Sequence, residues 1–294
     1  MLKLLRNWTL PIAMLFGIAA HRYLVNLSFI LPFLIFAMLF LAFLKVSLRE
    51  LKAGPLHICL LLIQAASASA AFFLFVFFDK IVAESVVVCL VAPTASSAAV
   101  ITQRLGGNAA NITVYMIISN LFAALVIPIF FPLIEPNAGM PFIAASLIML
   151  KKLFFLLVAP FLLAQILNRF SPRLHDKAAK YSWISFYMGA ASLTIVTAVT
   201  YYAVISAKTS LFTGLLMAFA AFAACSLQFV AGKLIGKRYN DRVSGGQAIG
   251  QKNTVLATWL SLTYLNPVSV IGPGSYILWQ TIINSYQLWK KRKT

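Results

Sequence analysis

The residues best suited to chemistry lie in one short polar stretch in the last fifth of the chain. It reads Gln247-Ala248-Ile249-Gly250-Gln251-Lys252-Asn253-Thr254. The surrounding segment, about residues 244–264, is otherwise apolar enough to cross a membrane. A charge at mid-membrane costs roughly 2.5–3.5 kcal/mol even on insertion scales, so Lys252 indicates a functional site. The alternative is that this span is shifted and that Lys252 snorkels to the interface.

Composition places the whole chain in a membrane. Of its 294 residues, 62% are hydrophobic and 10% are charged, and the mean hydropathy is +0.91. Soluble domains carry about 25% charged residues. The net charge of +18 would suggest nucleic acid in a soluble chain, but nucleic-acid binders need solvated basic surface. We therefore expect an integral membrane protein whose surface contacts membrane lipid, with no nucleic-acid partner.

Ten apolar segments have about the 20 residues needed to cross the hydrocarbon layer. They are continuous rather than alternating, which excludes a β-barrel as the main architecture and favours helices. The first segment could alternatively be a signal peptide. Residues 135–150 begin with prolines and a glycine, which predicts a connector at the membrane interface. The segments cover roughly residues 8–20, 27–44, 55–78, 85–104, 109–133, 151–168, 182–205, 210–235, 244–264 and 268–289.

The distribution of lysine and arginine predicts the orientation. If the N-terminus is cytoplasmic, 18 of the 24 basic residues fall on that side, Arg49 and Arg104 among them. Five fall on the other side, including Lys208, and Lys252 belongs to neither. Because positive residues concentrate in cytoplasmic loops, we expect a multi-pass protein of the cell inner (plasma) membrane with both termini in the cytoplasm.

Each half of the chain contains five predicted spans, and the fourth span of each half is interrupted. The fourth span is interrupted at Ala92-Pro93-Thr94-Ala95-Ser96-Ser97, and the ninth at Gly245, Gly246 and Gly250. Since five is odd, the halves would insert in opposite orientations, as in inverted-repeat transporters. The alternative is that Pro93 merely kinks an ordinary helix.

Interrupted helices leave unpaired backbone groups that must face a ligand or protein, and their N-terminal ends suit an anion. We therefore expect substrate to contact polar residues at the two breaks. A further candidate comes from the face formed by Thr194, Thr197 and Thr200 on the seventh span, although threonine also bonds its own helix backbone. The candidate substrate-binding residues are Thr94, Ser96, Ser97, Thr194, Asn253 and Thr254.

Both interruptions resemble signatures of the bile acid:sodium symporter family. Residues 92–102 with Gly107-Asn108 resemble its fourth-span signature, and residues 250–254 resemble its ninth-span signature. The resemblance implies one polytopic unit over 1–294, built as two inverted five-helix repeats whose discontinuous helices four and nine cross at the midplane. It also implies a core domain (about 55–133 and 210–289), a panel domain (about 8–44 and 151–205), and organic-anion substrates usually moved with sodium.

The departures from that family concern its sodium sites. The first site's positions carry Ala98, Ala99, Ile112, Met116 and Ala248 here. Because sodium needs several oxygen ligands, we expect no bound sodium and no metal cofactor. The second site keeps Gln64 but has Lys252 where the family has a glutamine. Lys252 is therefore predicted to replace the coupling cation, held by Gln64 and nearby carbonyl groups.

The expected function is secondary transport of a small or amphipathic organic anion, a carboxylate, without sodium, by a chain for which a monomer is plausible. One alternative is a sodium- or proton-coupled symporter of the same family, and a sensor or uncoupled channel is another. A polytopic membrane enzyme usually needs an acid cluster, a histidine pair or a serine-lysine dyad at membrane depth, and the dyad that this chain offers is Lys252 with Ser96 or Ser97. All six acidic residues fall in or near predicted loops, so we expect no enzyme.

Overall fold

The computed structural model describes residues 2–46, 52–136, 140–206 and 210–293. Across these ranges the chain is 86% helical and has no strands, which confirms the predicted all-α class. The α-helices are α1 (Leu2–Ala19), α2 (His21–Leu24), α3 (Leu31–Phe43), α4 (Pro55–Phe75), α5 (Lys80–Val91), α6 (Ala98–Arg104), α7 (Ala109–Ile134), α8 (Phe142–Leu153), α9 (Ala159–Phe170), α10 (Pro172–Lys180), α11 (Ile184–Ser206), α12 (Leu211–Arg238), α13 (Arg242–Gly250), α14 (Thr254–Tyr264) and α15 (Ile271–Lys293).

Six helical stretches in the described part of the chain are long and apolar enough to cross a membrane. A shorter apolar helix, Thr9–Ala19, precedes them. Several such helices in one chain indicate a multi-pass membrane protein, as the composition predicts. The six stretches are His21–Phe43, Pro55–Phe75, Ala109–Ile134, Phe142–Phe170, Ile184–Ser206 and Leu211–Arg238.

The prediction of a connector over residues 135–150 is wrong for residues 142–150. A helix begins at Phe142 and continues through a π-helical turn, Phe154–Val158, to Phe170. Lys151 and Lys152 suggested a boundary, but both are exposed within this helix, where long basic side chains can reach toward the interface. Arg49 and Lys208, used for the orientation, and residues 137–139 of the connector lie outside the described residues.

Two pairs of short helices are interrupted. The first break lies where the sequence predicts it, whereas the second lies just beyond the predicted Gly245, Gly246 and Gly250, which are all in α13 because glycines that pack against a neighbouring helix can stay helical. One pair of short helices, α5 and α6, is separated by residues 92–97, and the other, α13 and α14, by residues 251–253. Each first helix begins at an aspartate cap: Asp79 accepts from the backbone of Ile81 and Val82, and Asp241 from Ser244. Such caps satisfy the unpaired amides of a helix start, so each half-helix has a defined beginning.

A pair of glycines lets α13 lie directly against α12. A Cβ added at Gly232 would collide with the backbone of Gly245, and one added at Gly245 would collide with Gly232. Small residues allow such close approach of helices inside a membrane. The position of the second interruption therefore depends on Gly232 and Gly245.

Replacing Gly232 by alanine should loosen this contact. Because the added methyl group meets backbone atoms rather than a flexible side chain, we expect Gly232→Ala to destabilise the protein by about 1–3 kcal/mol. Thermal unfolding of the purified protein in detergent measures the change. Gly214→Ala on the same helix is the matched control, since a Cβ there meets nothing within 4 Å. Equal melting temperatures for the two variants would contradict the close-packing account.

Candidate functional site

The two interruptions meet and pair with each other. Thr94 and Lys252 form an isolated antiparallel β-bridge. On either side of it, the Ala95 amide donates to the Gln251 carbonyl over 3.0 Å, and the Asn253 amide donates to the Pro93 carbonyl over 2.8 Å. A simple kink at Pro93 does not describe this arrangement, because α5 stops at Val91 and α6 starts at Ala98. Each break supplies partners for the backbone groups that the other leaves open.

The Lys252 side chain is buried at this contact, with 1% of its surface exposed. Its Nζ donates to the carbonyl oxygens of Leu90, over 2.8 Å, and Ala92, over 3.0 Å. These carbonyls lie at the C-terminal end of α5, where a helix has unpaired acceptors and partial negative charge. Lys252 therefore acts as a cap on the first interrupted helix, and it does not snorkel to an interface.

Gln64 reaches the same helix end from α4. Its Nε2 donates to the Val91 carbonyl over 3.0 Å and to the Ala92 carbonyl over 3.1 Å. Its Oε1 accepts from the Tyr115 hydroxyl over 3.0 Å. Among the described residues Gln64 and Lys252 make no direct hydrogen bond; they meet on the shared Ala92 carbonyl. The predicted pairing of these two residues is thus indirect in the structure.

Polar residues of α15 hold the second interruption. Gln280 Oε1 accepts from the Lys252 amide over 3.0 Å, and the Tyr276 hydroxyl donates to the Gly250 carbonyl over 3.0 Å. Asn284 donates to the Gln251 side chain and accepts from Gln247 over 2.8 Å. Sequence reasoning missed Tyr276, Gln280 and Asn284. Their spacing of four residues, which puts them on one face of α15, was the available signal.

Thr94 is fully committed to protein contacts. Its amide donates to Ser119 Oγ over 3.2 Å, and its hydroxyl donates to the Ala248 carbonyl over 2.5 Å. The side chain is buried. The sequence predicts that Thr94 contacts substrate. In the structure Thr94 caps the end of α13, as Lys252 caps the end of α5.

The other candidate substrate residues at the breaks differ in access. Ser97 is exposed, Ser96 and Asn253 are half-buried, and Thr254 is buried. Ser97 Oγ accepts from the Gln251 side chain over 3.2 Å, and Asn253 Oδ1 caps α14 by accepting from the Leu256 amide over 3.1 Å. Within the described residues, the amides of Ser96 and Ser97 have no hydrogen-bond partner. These amides can bind an anion.

Thr194 is not joined to this site. Its hydroxyl donates to the Ala190 carbonyl of its own helix over 3.0 Å. Its backbone lies against Gly17 of α1, where an added Cβ would also meet Thr197. The threonine face of α11 therefore packs at this level against α1, and the structure leaves Thr194 with a packing role.

The positions that the sequence resemblance assigns to a first sodium site carry apolar side chains that are buried or partly buried. Ala98, Ile112 and Ala248 belong to one buried cluster, and the partly buried Ala99 packs against it. Met116 lies in the main core. These side chains offer no oxygen to a hard cation, so the residues do not fit a sodium ion. The described part of the chain also has no group of three histidine, cysteine or acidic residues able to hold a metal.

Glu84 is a buried acid that the sequence placed near a loop. It lies in α5 with 1% of its surface exposed, and its Oε2 accepts from the Asn266 amide over 2.8 Å. Asn266 in turn caps the short 3₁₀ turn before α15 by accepting from Val268. Glu84 therefore anchors the loop after α14 to the first half of α5.

No protein-family model matches the chain, and no curated protein shows significant similarity to it.

Removing the Lys252 amine should destabilise the fold. Lys252→Met keeps the length of the side chain but leaves the Leu90 carbonyl without its donor and the Ala92 carbonyl with only Gln64. An unpaired buried polar group costs about 1–3 kcal/mol, so the melting temperature should fall. Lys237→Met, at an exposed position, is the control. A Lys252→Met variant as stable as this control would show that the amine does not hold the helix end.

Replacing Glu84 tests the loop anchor. Glu84→Leu removes the acceptor for the Asn266 amide, and the loop over residues 265–270 should then exchange its amide hydrogens faster, by roughly tenfold. Glu84→Gln keeps an acceptor oxygen and should exchange nearly as the unmodified protein does. Hydrogen-exchange mass spectrometry of the two variants measures the difference. Equal protection in both would rule out the anchor.

Proposed function

We propose that this protein is a secondary transporter of a small or amphipathic organic anion, a carboxylate, and that it works by alternating access without sodium. One observation carries the proposal. Lys252, a cation by nature, is buried where two interrupted helices meet, and it donates to the carbonyl end of one of them. Ionisable residues buried at such breaks mark substrate or ion pathways in transporters.

The proposed architecture has ten spans in two inverted repeats of five. Besides the six long apolar helices, it counts α1, α15 and the two interrupted pairs, α5 with α6 and α13 with α14. Corresponding contacts in the two halves support it. In each half an aspartate caps the first short helix, and a residue of the β-bridge donates its backbone amide to a side chain of the next long helix. An asparagine then caps the helix or turn that follows the second short helix. The corresponding pairs are Asp79 and Asp241, Thr94 and Lys252, Ser119 and Gln280, and Asn108 and Asn266.

Membership of the bile acid:sodium symporter family is part of the same proposal. It rests on the signature residues at both interruptions. With it come the crossing of helices four and nine at the midplane, a core over 55–133 and 210–289, and a panel over 8–44 and 151–205. The orientation with both termini in the cytoplasm of the plasma membrane rests on the distribution of basic residues.

Lys252 takes the place of a coupling cation in this proposal. Carbonyl oxygens at a helix end are ligands that a transported sodium ion would otherwise use. An amine tethered to the chain donates hydrogen bonds to those oxygens without an ion from solution, so the two breaks stay joined whether sodium is present or absent. The apolar cluster of Ala98, Ile112 and Ala248 supports the same conclusion, because it offers sodium no ligands.

The substrate carboxylate is proposed to bind beside the breaks. Ser96 and Ser97 offer amides and hydroxyls there, and the half-buried Asn253 offers its side chain at the N-terminal end of α14. The partial positive charge of that helix end favours an anion. The nearby Lys252 charge would add to it, since Coulomb interactions are strong where water is scarce.

A membrane enzyme is less well supported. In the described structure Lys252 Nζ donates to two backbone carbonyls and to neither Ser96 nor Ser97. A serine nucleophile would need its hydroxyl within hydrogen-bond reach of that amine. Coupling to sodium or to protons remains the alternative form of the transport proposal.

Uptake by proteoliposomes tests the function. A panel of labelled carboxylates, from acetate to a bile acid, identifies a transported anion, and its initial uptake rate is then compared in sodium and potassium gradients. We expect equal rates within about twofold, because sodium has no site to fill. A tenfold stimulation by sodium would overturn sodium independence, and accumulation driven by a pH gradient alone would identify proton symport.

Substitution at Lys252 completes the test. Lys252→Met should abolish uptake of that carboxylate, whereas the exposed control Lys237→Met should keep it. Lys252→Gln restores the family's amide, yet we expect no response to sodium, because Ala98, Ile112 and Ala248 remain apolar. Sodium-driven uptake by Lys252→Gln would show that the lysine alone excludes the ion.

A further inference from the structure

A short basic helix, α10, connects two stretches that can cross a membrane. It has nine residues, Pro172–Lys180. It lies between Phe142–Phe170 and Ile184–Ser206, which are both long and apolar enough to span the hydrocarbon layer. At a rise of 1.5 Å per residue α10 is about 14 Å long, whereas that layer is about 30 Å thick. A connector of this length between two spans lies at the membrane surface.

The protein-facing and outer sides of α10 differ in chemistry. Ala178 and Ala179 are partly buried and pack against the main core, so their side of the helix faces the protein. Arg173, Lys177 and Lys180 are exposed. Their spacing of four and three residues puts them on one side of the helix, roughly opposite the two alanines. The basic side chains therefore point away from the protein.

The basic side of α10 has no carboxylate partner in the described part of the chain. None of the three basic side chains takes part in an ion pair there. Asp176 is the acid of the same helix, and its Oδ1 lies 3.2 Å from Nδ1 of the neighbouring His175. Like charges on one side of a helix repel one another, so an anion from outside the protein would stabilise this arrangement.

Apolar and aromatic side chains border the basic side. Leu174, Tyr181 and Trp183 are largely exposed, and Leu174 and Tyr181 lie two turns apart on the same side of the helix. The Trp183 ring packs edge-on against Tyr187, with 5.7 Å between the ring centroids. Tyrosine and tryptophan favour the level of the lipid headgroups. A basic side next to an apolar side is typical of a helix that lies in that layer.

We propose that α10 lies in the headgroup layer and binds anionic phospholipids. Their phosphate groups contact Arg173, Lys177 and Lys180, and the upper parts of their acyl chains contact Leu174 and Tyr181. Guanidinium and ammonium groups donate charge-assisted hydrogen bonds to phosphate oxygens. An anionic lipid is favoured over a zwitterionic one, because each basic residue near the surface adds to the attraction. This proposal depends on the multi-pass architecture and not on transport, so it can fail or hold independently of the proposed function.

Hydrogen-exchange mass spectrometry of the full chain in lipid nanodiscs tests this surface. Nanodiscs of phosphatidylglycerol are compared with nanodiscs of phosphatidylcholine that has identical acyl chains. We expect the amides of residues 174–181 to exchange about fivefold more slowly in phosphatidylglycerol, because bound headgroups hold the helix in place. Raising the salt concentration to about 1 M should remove most of this difference, since salt screens exposed charges. Equal exchange in the two lipids would overturn the proposal.

Substitutions separate this surface from general attraction to positive charge. Arg173→Gln with Lys177→Gln should abolish the slower exchange, whereas Arg173→Lys keeps the charge and should retain it. Lys237→Gln with Arg238→Gln removes the same charge from the exposed end of α12 and should leave α10 protected. An equal loss of protection in this control would overturn the proposal. The same protection produced in phosphatidylcholine by millimolar inorganic phosphate would also overturn it, because the ligand would then be a soluble anion.

Discussion

The structure depends on the pairing of backbone groups where two pairs of short helices, α5 with α6 and α13 with α14, are interrupted. Where water is scarce, an open amide or carbonyl is costly unless the protein or a ligand supplies a partner. Here the two interruptions largely satisfy each other, through the bridge of Thr94 with Lys252 and the hydrogen bonds beside it. Lys252 Nζ and Gln64 complete the pairing at the end of α5.

The surrounding helices position the junction by close packing and by side-chain hydrogen bonds. Gly232 and Gly245 let α13 approach α12 until their backbones touch. Ser119 of α7 and Gln280 of α15 accept the amides of the two bridging residues. The same kind of contact occurs once in each half, which favours the proposed inverted repeat.

Replacing a mobile ion by a tethered amine has a clear physical consequence in the proposed mechanism. A sodium ion must bind before the carbonyls at the break are satisfied, so its gradient can be coupled to the substrate. A covalently attached lysine is always present, and its amine therefore satisfies those carbonyls without coupling to a sodium gradient. The apolar packing of Ala98, Ile112 and Ala248 is consistent with the proposed lack of sodium coupling, since these side chains offer sodium no oxygen ligands.

The amino-acid sequence by itself determined the helical membrane class and the interruption at residues 92–97, because hydropathy and a proline among small residues are local properties. It placed the second interruption at Gly245, Gly246 and Gly250, whereas these residues lie in α13 and the break follows at residues 251–253. It failed at residues 142–150, where Lys151 and Lys152 suggested a helix boundary that lies instead at Phe142. Only the tertiary structure decided the partners. Lys252 bonds to the Leu90 and Ala92 carbonyls and to the Gln280 side chain, and Glu84 bonds to the Asn266 amide. The partners in each pair lie 28 or more residues apart in the chain, and such pairings are set by how helices pack.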